Sequence, residues 1–329
     1  MESNSVITSK ARLYNCDCVQ GAQDFVEDGS VDLVITDPPY GIDGGALDKH
    51  YNRDESFVVD GYIDVPADEY EEFSMGWIAE VDRVLRPGGS AYIVSGYTNL
   101  YAILRALKAT TLQEVNHVIW KYNFGVYTKK KFVSSHYHIL FYRKPGKSKD
   151  VTFNLHSRFG PEERDALGGS LNYKDREDVW IINREYKPGA VKNKNELPSQ
   201  LLNKMIQYSS NEGDTVLDFF LGGCSTAFQA VGLGRKAIGF ELSKDIFSVR
   251  APQIENIRPG SLLHTLRQPS MTLFENSGNP WTDETKEQVR SRFHELRGKY
   301  ATKKEIIEHL CKEFGRGRFA IQNVLKAED

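Results

Sequence analysis

Three observations predict an α/β fold with a mixed, mostly parallel sheet, helices on both faces and a small C-terminal helical domain. Short β-branched runs alternate with helical patterns through the first half of the chain. The same alternation returns after residue 200 with a glycine-bearing turn between strand and helix. Beyond about Pro259 the composition turns polar and helix-rich. Taken in order, Arg12-Leu13-Tyr14-Asn15 reads as a strand and Val31-Asp32-Leu33-Val34-Ile35 as a second. Residues 67–85 carry Phe73, Trp77, Val81 and Val84 on one face, a helix that stops at Arg86-Pro87-Gly88-Gly89. Ser90-Ala91-Tyr92-Ile93-Val94 is the next strand and 100–108 the next helix, followed by strands at 115–121 and 138–143. After two irregular stretches, 41–68 and 145–194, the pattern resumes with helical residues 201–208, strand 215–218, helical residues 228–231 and strand 236–241. Loops as long as these inside a compact domain are usually functional or mobile.

The chain has 329 residues, enough for one full α/β domain and an appendage. At 40% apolar and 26% charged it is globular rather than disordered. Its net charge of −3 means that a nucleic-acid surface has to come from local segregation of charge. Neither a membrane-spanning run nor a signal-peptide core is evident, since Met1 to Lys10 is polar. Cys16, Cys18, Cys224 and Cys311 lack zinc-like pairing, which suggests a reducing compartment. The expectation is a soluble, cytoplasmic protein without a metal.

Thr36-Asp37-Pro38-Pro39-Tyr40 follows the second strand directly. Strand-ending Asp-Pro-Pro is also an ordinary terminator, because proline lacks the amide donor and restricts its predecessor. The chemical reading is sharper. The Asp37 carboxylate and the Pro38 carbonyl are two acceptors that can surround an amino nitrogen, and Tyr40 offers a flat face for a base. An aromatic amine is a poor nucleophile, and acceptors on both its hydrogens favour a localised lone pair. Asp37, Pro38, Pro39 and Tyr40 are therefore the candidate catalytic residues.

A ligand site is legible further on. Strand Thr215-Val216-Leu217-Asp218 runs into Phe219-Phe220-Leu221-Gly222-Gly223-Cys224-Ser225-Thr226, where a helix begins. Glycine there lets a ligand approach the backbone. The following strand ends at Glu241, an acid suited to a ribose diol, with Leu242 beside it. This layout is also the general dinucleotide fingerprint and does not identify its ligand. Asn15-Cys16-Asp17-Cys18 adds a third element: Asp17 and the next backbone amide, that of Cys18, could hold an adenine edge, or Asp17 is a helix N-cap.

Together these motifs resemble the DNA amino-methyltransferases that use S-adenosylmethionine, in the permuted order of the beta group. The catalytic segment, residues 30–40, precedes the glycine motif, residues 213–226, and Val84-Leu85-Arg86-Pro87-Gly88-Gly89-Ser90 is like the family's helix stop. The resemblance covers about residues 11–255 and implies a circularly permuted, Rossmann-like methyltransferase fold with S-adenosyl-L-methionine as cofactor. By position, it places the target amine on Asp37 and Pro38, the flipped base on Tyr40, and the cofactor against Asp17, Cys18, Asp37, Phe220, Gly222, Cys224, Ser225, Thr226, Glu241 and Leu242. Asp37 at the first motif position favours adenine N6 over cytosine N4 as target. Two departures stand out. Cys224 replaces a usual glycine, and Leu197, in Asn193-Lys194-Asn195-Glu196-Leu197-Pro198, stands where many relatives carry lysine.

The resemblance also implies double-stranded DNA as partner, with dimers frequent in the family. Phosphate contacts are expected from Lys129, Lys130, Lys131, Arg143, Lys144, Lys147, Lys192 and Lys194, although a single charged run is more usually a solvated loop. His136 and His138 alternate along a strand, and spacing supplies no third ligand for a metal. In the tail, Thr302-Lys303-Lys304-Glu305 reads as a helix start, and Phe314-Gly315-Arg316-Gly317-Arg318 as a turn before an apolar helix. That is either a helix-turn-helix, with Arg316 and Arg318 near DNA, or a packing or dimerisation hairpin. The expected division is a catalytic domain over 1–262, with 145–194 as a candidate target-recognition segment, and a helical domain over 270–329. The competing readings are a cytosine-N4 or RNA amino-methyltransferase and a non-catalytic DNA-binding regulator on the same scaffold.

Overall fold

The computed structural model describes residues 4–39, 65–123, 125, 127, 129–185, 196–270, 274–276 and 279–326. Tyr40, Lys192, Lys194 and most of the 41–68 segment lie outside the described residues. Two compact units are present, Met1–Leu155 with Glu177–Arg267, and His156–Arg176 with Gln268–Asp329. The 145–194 stretch is thus divided between them.

The first unit holds a sheet whose nine described strands are β1 (Ser5–Ile7), β2 (Ala11–Tyr14), β3 (Val31–Thr36), β4 (Leu85–Ser95), β5 (Gln113–Lys121), β6 (His136–Arg143), β7 (Val179–Ile181), β8 (Thr215–Asp218) and β9 (Lys236–Phe240). Their order is β1-β2-β9-β8-β3-β4-β6-β5-β7. The central run β2-β9-β8-β3-β4 is parallel, β1 is an antiparallel edge, and β6 lies antiparallel between β4 and β5.

Helices cover both faces. On one face lie α1 (Cys18–Phe25), α2 (Tyr70–Val84) and α3 (Leu100–Lys108). Their Ala22, Trp77, Val81 and Leu107 pack with Val34, Ile93 and Leu217 of the strands. Over the opposite face, α5 (Ser199–Ser209), α6 (Ser225–Gly232) and α7 (Lys244–Arg250) bring Leu201, Met205, Ala230 and Phe247 onto Leu33, Ile35, Val94 and Val216. The strand residues divide by alternation, as a sheet buried on both faces requires. The short α4 (Leu171–Asp175) belongs to the second unit.

Sequence and structure differ at the α2–β4 junction. The glycine stop is not a loop before a strand at Ser90: β4 starts at Leu85, immediately after α2. Gly88 N donates to Lys144 O and Lys144 N to Gly89 O, at 3.0 and 2.9 Å, so the Pro-Gly-Gly stretch is held to the chain leaving β6. The cost is an irregular register with β3 between Val31 and Leu33.

The second unit contains α8 (Asp283–Leu296), α9 (Lys303–Phe314) and α10 (Arg318–Lys326) around Val289, Phe293, Ile307, Leu310, Ile321 and Val324. α9 begins with a full capping box, Thr302 with Glu305, and ends on Gly315 at φ 59°. Among the described residues no helix is long and apolar enough to cross a membrane.

Candidate functional site

The site is built where four neighbouring parallel strands end. β2 leads to Asn15 and Asp17, β9 to Glu241, β8 to the Phe219–Thr226 turn and β3 to Asp37. The chain leaves β8 through α6, on one face, to reach β9, while β3 connects to β4 through α2, on the other face. β8 and β3 are adjacent, so the crossovers diverge between them and open a crevice at the carboxyl ends.

Asp218 anchors that crevice. It is 4% exposed, and its Oδ1 accepts from Thr36 Oγ1 and Phe220 N, both at 3.0 Å. The Thr226 hydroxyl donates to the same carboxylate. Burial nevertheless pushes its pKa up to about 7, with the nearby Glu241 adding to the rise, because these donors do not fully offset the lost solvation. The ends of β3, β8 and α6 are thereby tied through one side chain.

Glu241 ties β9 to the turn. Its Oε2 accepts from Gly222 N at 2.8 Å and its Oε1 from Ser243 N at 2.7 Å. Burial raises its pKa, opposed by the amides of Ser243, Gly222 and Leu242. Asn15 Nδ2 donates to Glu241 O at 2.7 Å and Leu242 O at 3.2 Å, closing β2 onto β9. Leu242 itself is 51% exposed. Asp17 is the N-cap of α1: its Oδ1 accepts from Val19 N and Gln20 N at 2.9 and 3.0 Å, and Oδ2 takes no part in those bonds. Cys18 is buried beside it as the first residue of α1.

The turn after Asp218 is tightly supported. A Cβ on Gly223 would lie 2.0 Å from Glu196 Oε1. Glu196 is held there by Arg250, whose Nη2 donates to it at 2.8 Å while Nε donates to Gly223 O at 3.0 Å. Cys224 caps α6 with φ 62°, and among the described residues it is the sole non-glycine with positive φ. Glycine would adopt this conformation freely, and cysteine accepts it at a steric cost. The Cys224 thiol is fully buried, and burial pushes it up to about 12, so it stays protonated. Phe220 packs against Phe73 and Trp77 of α2, with centroids 5.7 and 5.3 Å apart. Ser225 and Thr226 open α6.

Asp37 is half-buried and Pro38 buried at the mouth of β3. The Tyr70 hydroxyl donates to Pro39 O at 2.7 Å. Tyr70, Glu196 and Arg250 carry no short-range signal that marks them as parts of this site. Leu197 is 8% exposed and belongs to the apolar core.

The basic residues fall into different environments. Lys129, Lys130, Lys131 and Lys147 are exposed. Lys144 is taken up by Asp82, an ion pair at 3.4 Å plus a bond to its carbonyl. Arg143 is half-buried with its guanidinium over Phe141, and burial lowers its pKa. In the second unit Arg316 departs most from its sequence reading as a DNA contact. It is 8% exposed, stacked 4.5 Å from the Trp281 ring and bonded to Asn279 O and Pro280 O. Those bonds close the helical unit and leave the guanidinium little reach to solvent. Arg318 opens α10 and is half-buried.

His138 does have a cross-strand companion: its Nδ1 lies 2.8 Å from His117 Nε2, and the His136 ring centroid is 5.2 Å away. Burial, with His117 and His136, lowers the His138 pKa. Among the described residues no group of three or more His, Cys, Asp or Glu side chains is arranged to hold a metal ion.

Comparison with known proteins decides the family. A model of DNA methylases of the N6/N4 type matches residues 31–251. The chain belongs to the N6/N4 DNA methylase family. Within that family it is 30% identical over 240 residues to Type II methyltransferase M.HpaI of Haemophilus parainfluenzae, covering 70% of each chain. It is 34% identical over 252 residues to M.BamHI of Bacillus amyloliquefaciens, 71% of this chain and 55% of that one. To M.HinfI of Haemophilus influenzae it is 31% identical over 255 residues, 74% and 68% of the two chains. Solved structures share the fold. The Thermus thermophilus protein TTHA0409, crystallised with S-adenosyl-L-methionine, aligns at a TM-score of 0.55 and 21% identity, over 79% of this chain and 96% of that one. The cytosine-N4-specific PvuII DNA methyltransferase aligns at 0.56 and 15%, over 80% and 95%. A methylase of this family is a DNA amino-methyltransferase, and the permuted Rossmann-like sheet is its scaffold.

Proposed function

We propose that the enzyme transfers a methyl group from S-adenosyl-L-methionine to the N6 amino group of adenine in double-stranded DNA, acting on a base turned out of the helix. The observation that carries this reading is the position of Asp37-Pro38-Pro39. It leaves β3 directly beside the β8 glycine turn, with Thr36 bonded to Asp218. Acceptors for an amine therefore stand next to a site for an adenosyl donor.

The residues present fit that donor. Glu241 is oriented by Gly222 N and Ser243 N, and a carboxylate has further lone pairs for a ribose diol. Gly222 brings no side chain to the turn, Gly223 leaves room for Glu196 behind it, and Phe220 packs beside it on Phe73. Asp17 Oδ2 is available for the adenine amine. When bound, S-adenosyl-L-methionine supplies a methyl carbon on a sulfonium, a good leaving group.

The chain's own part is positioning. The Asp37 carboxylate accepts one N–H of the target amine and the Pro38 carbonyl the other, which localises the nitrogen lone pair toward the methyl carbon. As the N–C bond forms, the C–S bond breaks with its electron pair going to sulfur, and the methylated nitrogen gives up one proton through the Asp37 side to solvent. Tyr40 stacks on the extruded base, about 1–3 kcal/mol toward the few kcal/mol that extrusion costs. Lys129, Lys130, Lys131 and Lys147, all exposed, supply phosphate contacts.

Asp37 at the first motif position favours adenine. The second reading, cytosine N4, is kept open by the fold likeness to the cytosine-N4-specific PvuII enzyme. Mass analysis of nucleosides from DNA incubated with enzyme and donor decides between them. N6-methyladenine is the expected product; N4-methylcytosine in its place establishes the second reading, and DNA that gains neither removes both.

A further inference from the structure

Asp37-Pro38-Pro39 has a structural problem that its chemistry creates. Two consecutive prolines have no amide N–H, so past Asp37 this segment has no backbone donor with which to anchor itself. Its polar handles are carbonyls, and the catalytic scheme uses that of Pro38. The Pro39 carbonyl, one residue on, is a second acceptor, and its direction must be fixed as well.

The Tyr70 hydroxyl meets both difficulties. Its ring is 3% exposed, and a buried phenol needs a partner for its O–H. It donates to Pro39 O at 2.7 Å. Proline rings fix φ at about −65°, so the free rotations left in this segment are the ψ angles of the two prolines. Holding Pro39 O fixes the second of these. The donor is itself rigidly mounted. Tyr70 is the first residue of α2, Ser74 Oγ donates to its carbonyl at 2.7 Å, and Phe73 packs on its ring at 5.6 Å. Phe73 and, one turn further along α2, Trp77 reach Phe220 of the cofactor turn. One helix therefore braces both halves of the site.

We propose that Tyr70 is a positioning residue for methyl transfer: its hydroxyl holds the Pro39 carbonyl in place, so that the Pro38 carbonyl keeps its direction toward the amine. This inference rests on the amino-methyltransferase reading of the site. Tyr70→Phe removes the hydroxyl and keeps the ring on Phe73. Measured are the single-turnover rate with donor pre-bound, KM for DNA, donor Kd and the thermal midpoint. The single-turnover rate should fall about tenfold or more, while donor Kd and KM for DNA stay within about twofold. The thermal midpoint should move little.

A single-turnover rate within about twofold of the parent's overturns the proposal. So does a rate loss matched by a similar loss of donor affinity and a lowered midpoint, which is what a purely structural tyrosine would give. An unaltered enzyme that methylates DNA normally while the variant does the same counts against Tyr70 alone. Absence of any transfer by the unaltered enzyme counts against the site reading and the inference together.

Discussion

Thr36 Oγ1 lies 3.0 Å from Asp218 Oδ1 and donates to it, joining the last residue of β3 to the last residue of β8. Residues separated by 182 positions thus form the floor of one crevice. Replacing Thr36 by valine keeps the shape and leaves the buried carboxylate short of a donor. We expect unfolding by urea to show a loss of about 1–3 kcal/mol. Unchanged stability would mean that this bond contributes nothing to holding the strand ends together.

The same carboxylate predicts a pH dependence. Its folded pKa is raised to about 7 from an ordinary 3.8, so between those values the native state binds the proton that the unfolded state has released. Its contribution to stability is therefore fully present at acid pH, declines as pH rises from 3.8 through about 7, and is constant above. Asp218→Asn should lack this slope. Subtracting the variant's midpoint-against-pH curve from the parent's isolates it, and two parallel curves would refute the assignment.

Asp37→Ala should abolish methyl transfer, with loss of at least about a hundredfold in single-turnover rate, and leave donor binding measurable by titration calorimetry. Appreciable methylation by this variant would sink the role given to the carboxylate.

At Cys224 the usual ranking of alanine above glycine should invert. The residue sits at φ 62°, where an L side chain costs about 1–2 kcal/mol and glycine nothing comparable. Cys224→Gly should accordingly be more stable than Cys224→Ala by about 1 kcal/mol in denaturant unfolding, although both lose the buried sulfur. An alanine variant more stable than the glycine variant would show that the turn relaxes freely.

Truncation before residue 270 removes α8, α9 and α10 and leaves 156–176 without the segment it packs with. If the helical unit reads DNA, DNA affinity at fixed salt should drop about tenfold or more with donor affinity unchanged. Equal DNA affinity before and after truncation would assign the helices to another task.

How much of this was legible beforehand depended on whether the signal was local. Val31 to Ile35 and Thr215 to Asp218 read as strands because their β-branched runs are bounded by turns, and both are found as such. The helix at 100–108 also coincides with the observed Leu100–Lys108. β1 has no such signal, since three residues on an antiparallel edge carry no usable period. α8 falls within the tail that reads as polar and helix-rich, but its bounds carry little signal: of its fourteen residues only Val289, Phe293 and Leu296 are buried. Asp17 offered a cap and a ligand with equal force, and its cap geometry is now explicit while its ligand role stays a proposal. Arg316 looked like a surface cation because the sequence does not say that Trp281 is waiting to cover it. Tyr70 and Glu196 act on segments brought near only by the sheet, so no window of sequence could pair them with Pro39 or Gly223.

The position of β3 between β4 and β8 has a consequence for synthesis. β4 is the next described strand after β3, but the partner for the other edge is Thr215–Asp218, released from the ribosome far later. Until then β3, the strand that leads into Asp37, presents an unpaired row of amides and carbonyls on one edge, the condition that invites mispairing. Nascent chains stalled with β8 still in the exit tunnel should be cut by protease near residues 31–36, and chains stalled after β9 has cleared it should resist. Equal resistance at both stall points would show that another part of the chain shields that edge first.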